Sequence, residues 1–203
     1  MIRYLLISAF FSLFISCKSY QVKDAVSVDN SLQFVQNQYF SDVSLDYVYK
    51  THIEIYGNKM GGIFIAKRIN DSIHRMVLTT DFGNKLLDFE VSESSFKVNF
   101  IIDNVDKKII INTLRDDFRT LLQVNSKVFK TYKRNNEVIY QTENNAYYYF
   151  DQVSSNLTKI IKTNKRKEKV IFTFNPKKTT FAENINIQHN NIKLKIDFNQ
   201  INN

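Results

Sequence analysis

"NVDKKIIINTLRDDFRTLL", Asn104 to Leu122, decides the architecture, because its apolar residues keep helical spacing in the middle of a chain that otherwise alternates. Ile110, Leu114, Phe118 and Leu121 recur at four, four and three, which is one stripe of an amphipathic helix. Arg115, Asp116 and Arg119 are then left to water. A strand over Ile109–Ile111 would account for three residues and none of the rest. Neighbouring helical positions point about 100° apart, so the adjacent Asp116 and Asp117 suit a solvated face better than a catalytic carboxylate pair.

Working upstream, apolar residues change to period two. In "LDYVYKTHIEIYG", Tyr47, Tyr49, Thr51, Ile53 and Ile55 share one face, and Lys50, His52 and Glu54 the other. Further strands are expected in "GGIFIAKRIN", "SIHRMVLTT", "KLLDFEV" with Leu87, Phe89 and Val91, and "SFKVNFII" with Phe96, Val98, Phe100 and Ile102. The second and third of these five are apolar on both faces, so the inward set over residues 60–79 stays open at this point. Downstream the pattern predicts seven more strands. The last, "IKLKIDFNQI", sets Ile192, Leu194, Ile196 and Phe198 against Lys193, Lys195 and Asp197.

A flat open sheet does not accommodate so many strands; it curls. The predicted fold is mainly β: a curved antiparallel sheet forming an incomplete, half-open β-barrel of about 11–12 strands, with the helix as a plug over an apolar concave face. The residues expected to line that cavity are Tyr49, Ile53, Ile55, Leu87, Phe89, Val98, Phe100, Leu194 and Ile196 from the sheet, and Ile110, Leu114 and Phe118 from the helix. The composition agrees with one such domain. There are 203 residues, 43% hydrophobic and 14% aromatic, with one Pro, enough for one packed core.

The N-terminus reads as an export signal: Arg3, an eleven-residue apolar run from Leu5 to Ile15, then Ser16 and Cys17. That run is too short to span a bilayer, which takes about 20 helical residues. Cys17 is the only cysteine, so an intramolecular disulfide is excluded. "FISC", Phe14 to Cys17, resembles the bacterial lipobox, which implies cleavage before an acylated Cys17. The expected organisation is a lipoprotein signal peptide over 1–16, a tether with a short helix in "NSLQFVQNQYF" over 17–45, and the β domain over 46–203. Asn30 would be that helix's N-cap.

The net charge is +8, with one local run, "KTNKRKEK" from Lys162 to Lys169. Such a run is a solvated hairpin tip or a contact with anionic head groups. Nucleic acid is not an expected partner of an exported, lipid-anchored chain. His52, His74 and His189 lie far apart without metal-ligand spacing, and His52 and His189 read as solvated. No nucleophile elbow, phosphate loop or zinc-protease helix is present. Neither an enzyme, a metal nor a cofactor is expected.

The remaining oddity is Phe82. Asp81, Gly83 and Asn84 are turn formers between two alternating runs, so an apolar ring falls at a hairpin tip. Burying such a ring is worth about 1.5–3 kcal/mol, and a tip forgoes it. "HRMVLTTDFGNKLLDFEV", His74 to Val91, resembles the segment of the outer-membrane lipoprotein receptor LolB, of the LolA/LolB-like carrier superfamily, in which an apolar residue followed by Gly protrudes between strands. "FAENINIQHNNIKLKIDFNQI", Phe181 to Ile201, resembles that family's last two strands, and the helical segment falls where it keeps a helical insertion.

The resemblance implies a monomeric, lipid-anchored protein of the outer membrane facing the periplasm. It would take acylated lipoproteins from a soluble periplasmic LolA-like carrier, hold their acyl chains in the cavity and release them to the inner leaflet of the outer membrane. Phe82 and Gly83 would form the membrane-inserting loop. The other reading is an accessory or structural lipoprotein whose cavity is closed by large side chains.

Overall fold

The computed structural model describes residues 20–29, 32–164 and 166–201. Cys17, the signal segment and Asn30 lie outside them. Among the described residues fourteen strands occur in chain order: β1 Val26–Val28, β2 Phe34–Gln36, β3 Asp46–Ile55, β4 Asn58–Arg68, β5 His74–Thr79, β6 Lys85–Val91, β7 Phe96–Ile101, β8 Asn125–Arg134, β9 Glu137–Thr142, β10 Ala146–Asp151, β11 Leu157–Asn164, β12 Lys167–Lys178, β13 Phe181–His189 and β14 Leu194–Gln200. Helix α1, Lys108–Leu122, follows a 3-10 turn at Asp103–Val105 and separates β7 from β8.

All pairings are antiparallel. One meander runs from β3 to β7, a second from β8 to β14, and β14 closes back on β3 through Phe198 opposite Thr51 and Leu194 opposite Ile55. Among the described residues the path β1-β8-β9-β10-β11-β12-β13-β14-β3-β4-β5-β6-β7 ends on two unpaired edges, β1 and β7. The sheet is therefore curved and open, with a helix, as the alternation and the single helical stripe require. Bulges bend it at Leu78/Thr79, Asp88/Phe89 and Lys162/Thr163. The chain's one proline, Pro176, sits at a further bulge in β12, where a missing N–H costs no regular ladder bond.

The twelve expected strands are β3 to β14, and β1 and β2 are additional. The short helix expected before residue 45 is not formed. Phe34–Gln36 is instead a strand paired with Asn125–Lys127 of β8. Val35 and Tyr39 are both buried but Leu32 is exposed, so the spacing of four reflects two separate anchor points rather than a helical face. Tertiary pairing overrides a weak local preference here.

Nor is this stretch a loose tether. Asn37 donates from Nδ2 to the Leu121 carbonyl (2.9 Å) and from its backbone N–H to that of Val124 (2.8 Å). It thereby satisfies the Leu121 carbonyl in the last turn of α1, where intrahelical partners run out, and the Val124 carbonyl just beyond the helix. Phe40 and Val22 are buried as well, so the folded body begins well before residue 46.

Candidate functional site

Phe82 stands at the tip of the β5–β6 hairpin, 95% exposed. The loop beneath it is tied down. Thr80 N–H donates to the Asn84 carbonyl (2.8 Å), Gly83 N–H to the Thr80 carbonyl (3.0 Å), and Asn84 N–H to Thr80 Oγ1 (3.1 Å). Asp81 pairs with Lys50 of β3. Gly83 has φ +85, a conformation natural only to glycine.

A second glycine sets how closely the hairpin approaches. A Cβ on Gly62, at φ +157, would lie 1.7 Å from the Thr79 carbonyl oxygen. The bare backbone of β4 thus lets the end of β5 bend over it. Residue spacing predicted the exposed ring but not Gly62, whose role depends on a neighbouring strand.

Further along the same hairpin the carboxylate of Asp88, 1% exposed, accepts from Arg75 (2.9 Å), Lys85 (2.8 Å) and Asn99 (3.3 Å). The hydrogen bond from Arg75, together with those from Lys85 and Asn99, holds its carboxyl well below the usual carboxylate range, against the opposing effect of burial.

The residues expected to line a cavity divide into two groups. Tyr49, Ile53, Ile55, Leu87, Phe89, Ile110, Leu114, Phe118, Leu194 and Ile196 belong to one buried hydrophobic cluster, each no more than 3% exposed. Phe118 lies 6.0 Å from the Phe64 ring and 6.3 Å from Phe89, and Tyr49 stacks on Phe181 at 5.4 Å. The concave face is filled by the protein's own side chains.

Val98 and Phe100 are not part of it, being 37% and 41% exposed on edge strand β7. The bulge explains Phe100: Val98 pairs with Phe89 but Phe100 with Asp88. A one-residue slip moves Phe100 to the other face and puts Ile101 opposite Leu87. For the strands whose inward set stayed open, Met60, Phe64 and Ala66 of β4 and Met76 and Leu78 of β5 are buried, while Ile65 is exposed.

Two polar residues read as solvated are in the interior. His189 Nε2 and Asp117 Oδ2 share a hydrogen bond of 2.7 Å, and both side chains are at most 2% exposed. Burial raises the Asp117 pKa, and the His189 bond opposes it. His189 Nδ1 is buried with no partner among the described residues. Both positions carried a signal. His189 has the parity of Ile185 and Ile187 along β13, and Asp117 stands three residues after Leu114 on the buried stripe.

His52 is exposed, whereas His74 is buried with Nε2 2.9 Å from the Phe40 carbonyl. Beside the C-terminal end of α1 opens a cavity of about 580 Å³, bordered by Arg68, Arg119, Lys162, Asp116, Ser126 and Tyr148 among others. None of the expected lining residues borders it. Lys162 Nζ donates to Thr120 Oγ1 at 2.8 Å, and burial lowers its pKa.

No family model matches the chain, and no curated protein does. Solved structures similar to it at low level include the following two. A DUF1329 family protein from Desulfovibrio piger is 7% identical, with a TM-score of 0.39, 77% of this chain and 83% of that one covered. A structure named as an outer membrane lipoprotein-sorting protein domain from Vibrio parahaemolyticus is 5% identical, with a TM-score of 0.41 and the same coverages. Among the described residues no helix is long and apolar enough to cross a membrane.

Proposed function

We propose that this chain is an envelope lipoprotein, anchored through an acylated Cys17, that receives acylated lipoproteins from a soluble carrier and passes them into the membrane without catalysis. The observation that carries the reading is Phe82: a phenyl ring held 95% exposed on a hairpin fixed by three hydrogen bonds and an ion pair. A ring that gains nothing from the protein gains when it enters hydrocarbon. Acyl chains would reach the concave face as α1 lifts, exchanging contacts with helix residues such as Leu114 and Phe118 for contacts with the guest. Handover then needs only a rising order of affinity from carrier to this protein to bilayer. Phe82→Glu tests it: lipoprotein transfer into outer membranes falls sharply while the fold is kept, and unchanged transfer removes the reading.

The packed interior favours a second reading, an accessory lipoprotein that uses the sheet as a scaffold. Titrating a fluorescent acyl probe into the mature Cys17→Ser chain separates the two. Saturable binding near one equivalent supports the acceptor, and no binding supports the scaffold.

A further inference from the structure

The cavity beside the C-terminal end of α1 is used by neither reading of the concave face. It lies between the two meanders: Arg68 and Val91 border it from β4 and β6, Tyr148 and Lys162 from β10 and β11, and Arg119 from the helix. At about 580 Å³ it has the size of a small-molecule site, typically about 300–1,000 Å³.

Its walls hold more hydrogen-bond donors than the protein uses. Lys162 carries three N–H groups. One goes to Thr120 Oγ1 at 2.8 Å, and the ammonium makes no ion pair among the described residues. Arg119 gives Nε to the Ser92 carbonyl at 3.2 Å, which leaves both Nη groups over among the described residues. Tyr148 and Ser126, 2% and 5% exposed, share one hydrogen bond of 3.0 Å between their hydroxyls. Two hydroxyls own two O–H donors and that bond consumes one, so the other is buried without an acceptor among the described residues. Arg68, by contrast, is spent on the carbonyls of Ser41, Asn70 and Asp71.

Three acids also border the cavity, and none of them is ion-paired with Lys162 or Arg119. Asp71 is fully exposed and 3.9 Å from Arg68, Asp116 is paired with Arg115 at 3.1 Å, and Glu93 is exposed. Asp117, whose field favours the charge on Lys162, is bonded to His189. Neutralising Asp117 and the negative end of α1 accounts for one cation. It does not account for spare guanidinium and hydroxyl donors beside the same space.

We infer that this cavity binds a small organic phosphate monoester, its phosphate between Lys162 and Arg119, with the spare O–H of the Ser126–Tyr148 pair as a further donor. A phosphate offers three strong acceptor oxygens where a carboxylate offers two, which suits a donor-rich site. The volume exceeds that of a bare phosphate many times over, so the remainder of the ligand is a polar organic body such as glycerol. The site goes beyond the transfer reading and does not depend on it.

Calorimetric titration of the mature Cys17→Ser chain with sn-glycerol 3-phosphate tests the site, with glycerol as the uncharged control. Saturable binding near one equivalent is expected for the phosphate and none for glycerol, and the affinity is expected to fall with rising salt. Lys162→Met and Arg119→Gln, made one at a time, are each expected to weaken binding about tenfold or more. Lys177→Met, near the far end of β12 and outside the cavity, is expected to change little. Dihexanoylphosphatidic acid separates the two sources of the phosphate. Tighter binding than glycerol 3-phosphate assigns the site to a lipid head group, and equal or weaker binding assigns it to a free solute. Binding of neither phosphate probe, equal binding of glycerol, or full binding by Arg119→Gln at an unchanged thermal midpoint overturns the proposal. The titrations of the parent chain decide the matter even where Lys162→Met fails to fold. No readout involves Phe82 or lipoprotein transfer, so this site and the transfer reading fail separately.

Discussion

Phe118 and Phe82 are the same side chain in opposite circumstances. Phe118 sits mid-helix, 2% exposed, between the rings of Phe64 and Phe89, whereas Phe82 crowns a turn at 95% exposure. The first ring holds the protein together and the second contributes almost nothing to its stability. An interior packed with Tyr and Phe gives the curved sheet a rigid body, and among its exposed rings Phe82, at 95%, is the one furthest from that body's packing. The same contrast separates the two proposed functions, since the acceptor must open its interior and the scaffold need not.

The widest way to break the comparison is to truncate both rings. Phe118→Ala removes a buried ring and is expected to cost about 3–5 kcal/mol, read as a fall in the urea midpoint. A loss below about 1 kcal/mol would mean that α1 is not firmly seated. Next in size is Gly62→Ala, which drives a methyl into the Thr79 carbonyl and is expected to cost about 1–3 kcal/mol. Increased protease cleavage around residues 79–85 would accompany it, because the hairpin carrying Phe82 loses its seat.

Asp88→Asn has a pH signature. An acid whose folded pKa lies below its unfolded value, about 3.9, adds stability above that pH and loses it as the pH falls toward the folded value. The wild type is therefore expected to lose stability progressively below about pH 4. The variant, less stable at pH 7, is expected to lack this carboxyl's share of that decline. Parallel urea midpoints of the two proteins between pH 7 and pH 3 would contradict the buried ion-pair account. The smallest effect belongs to Phe82→Ala, within about 0.5 kcal/mol of wild type. A larger loss would show that the ring packs on the protein and is not displayed.

Much of this body is visible in spacing. The stripe Ile110–Leu114–Phe118–Leu121 is the buried face of α1, and the alternation of β3 and β14 names their inward residues. Turn formers around Phe82 suffice to predict an exposed ring. Other features were written in the pattern but obscured by residue type: His189 and Asp117 occupy inward positions, and polarity alone argued for solvent. Phe100 was beyond reach, since a bulge opposite Asp88 moved it to the other face. The N-terminal segment misled for a related reason, because Val35 and Tyr39 meet the core through a strand and a turn that only β8 could supply.

By itself, then, the order of residues determined the strands β3 to β14, the helix α1 and where a ring must stand in the open, because periodicity and turn chemistry act over a few neighbouring residues. The packing of α1 against the concave face, the pairing of His189 with Asp117, the seat of the Phe82 hairpin on Gly62 and the meeting of Lys162 with Thr120 were decided only in three dimensions. Each joins residues distant along the chain, and local physics has no means of choosing such partners until the sheet has curled.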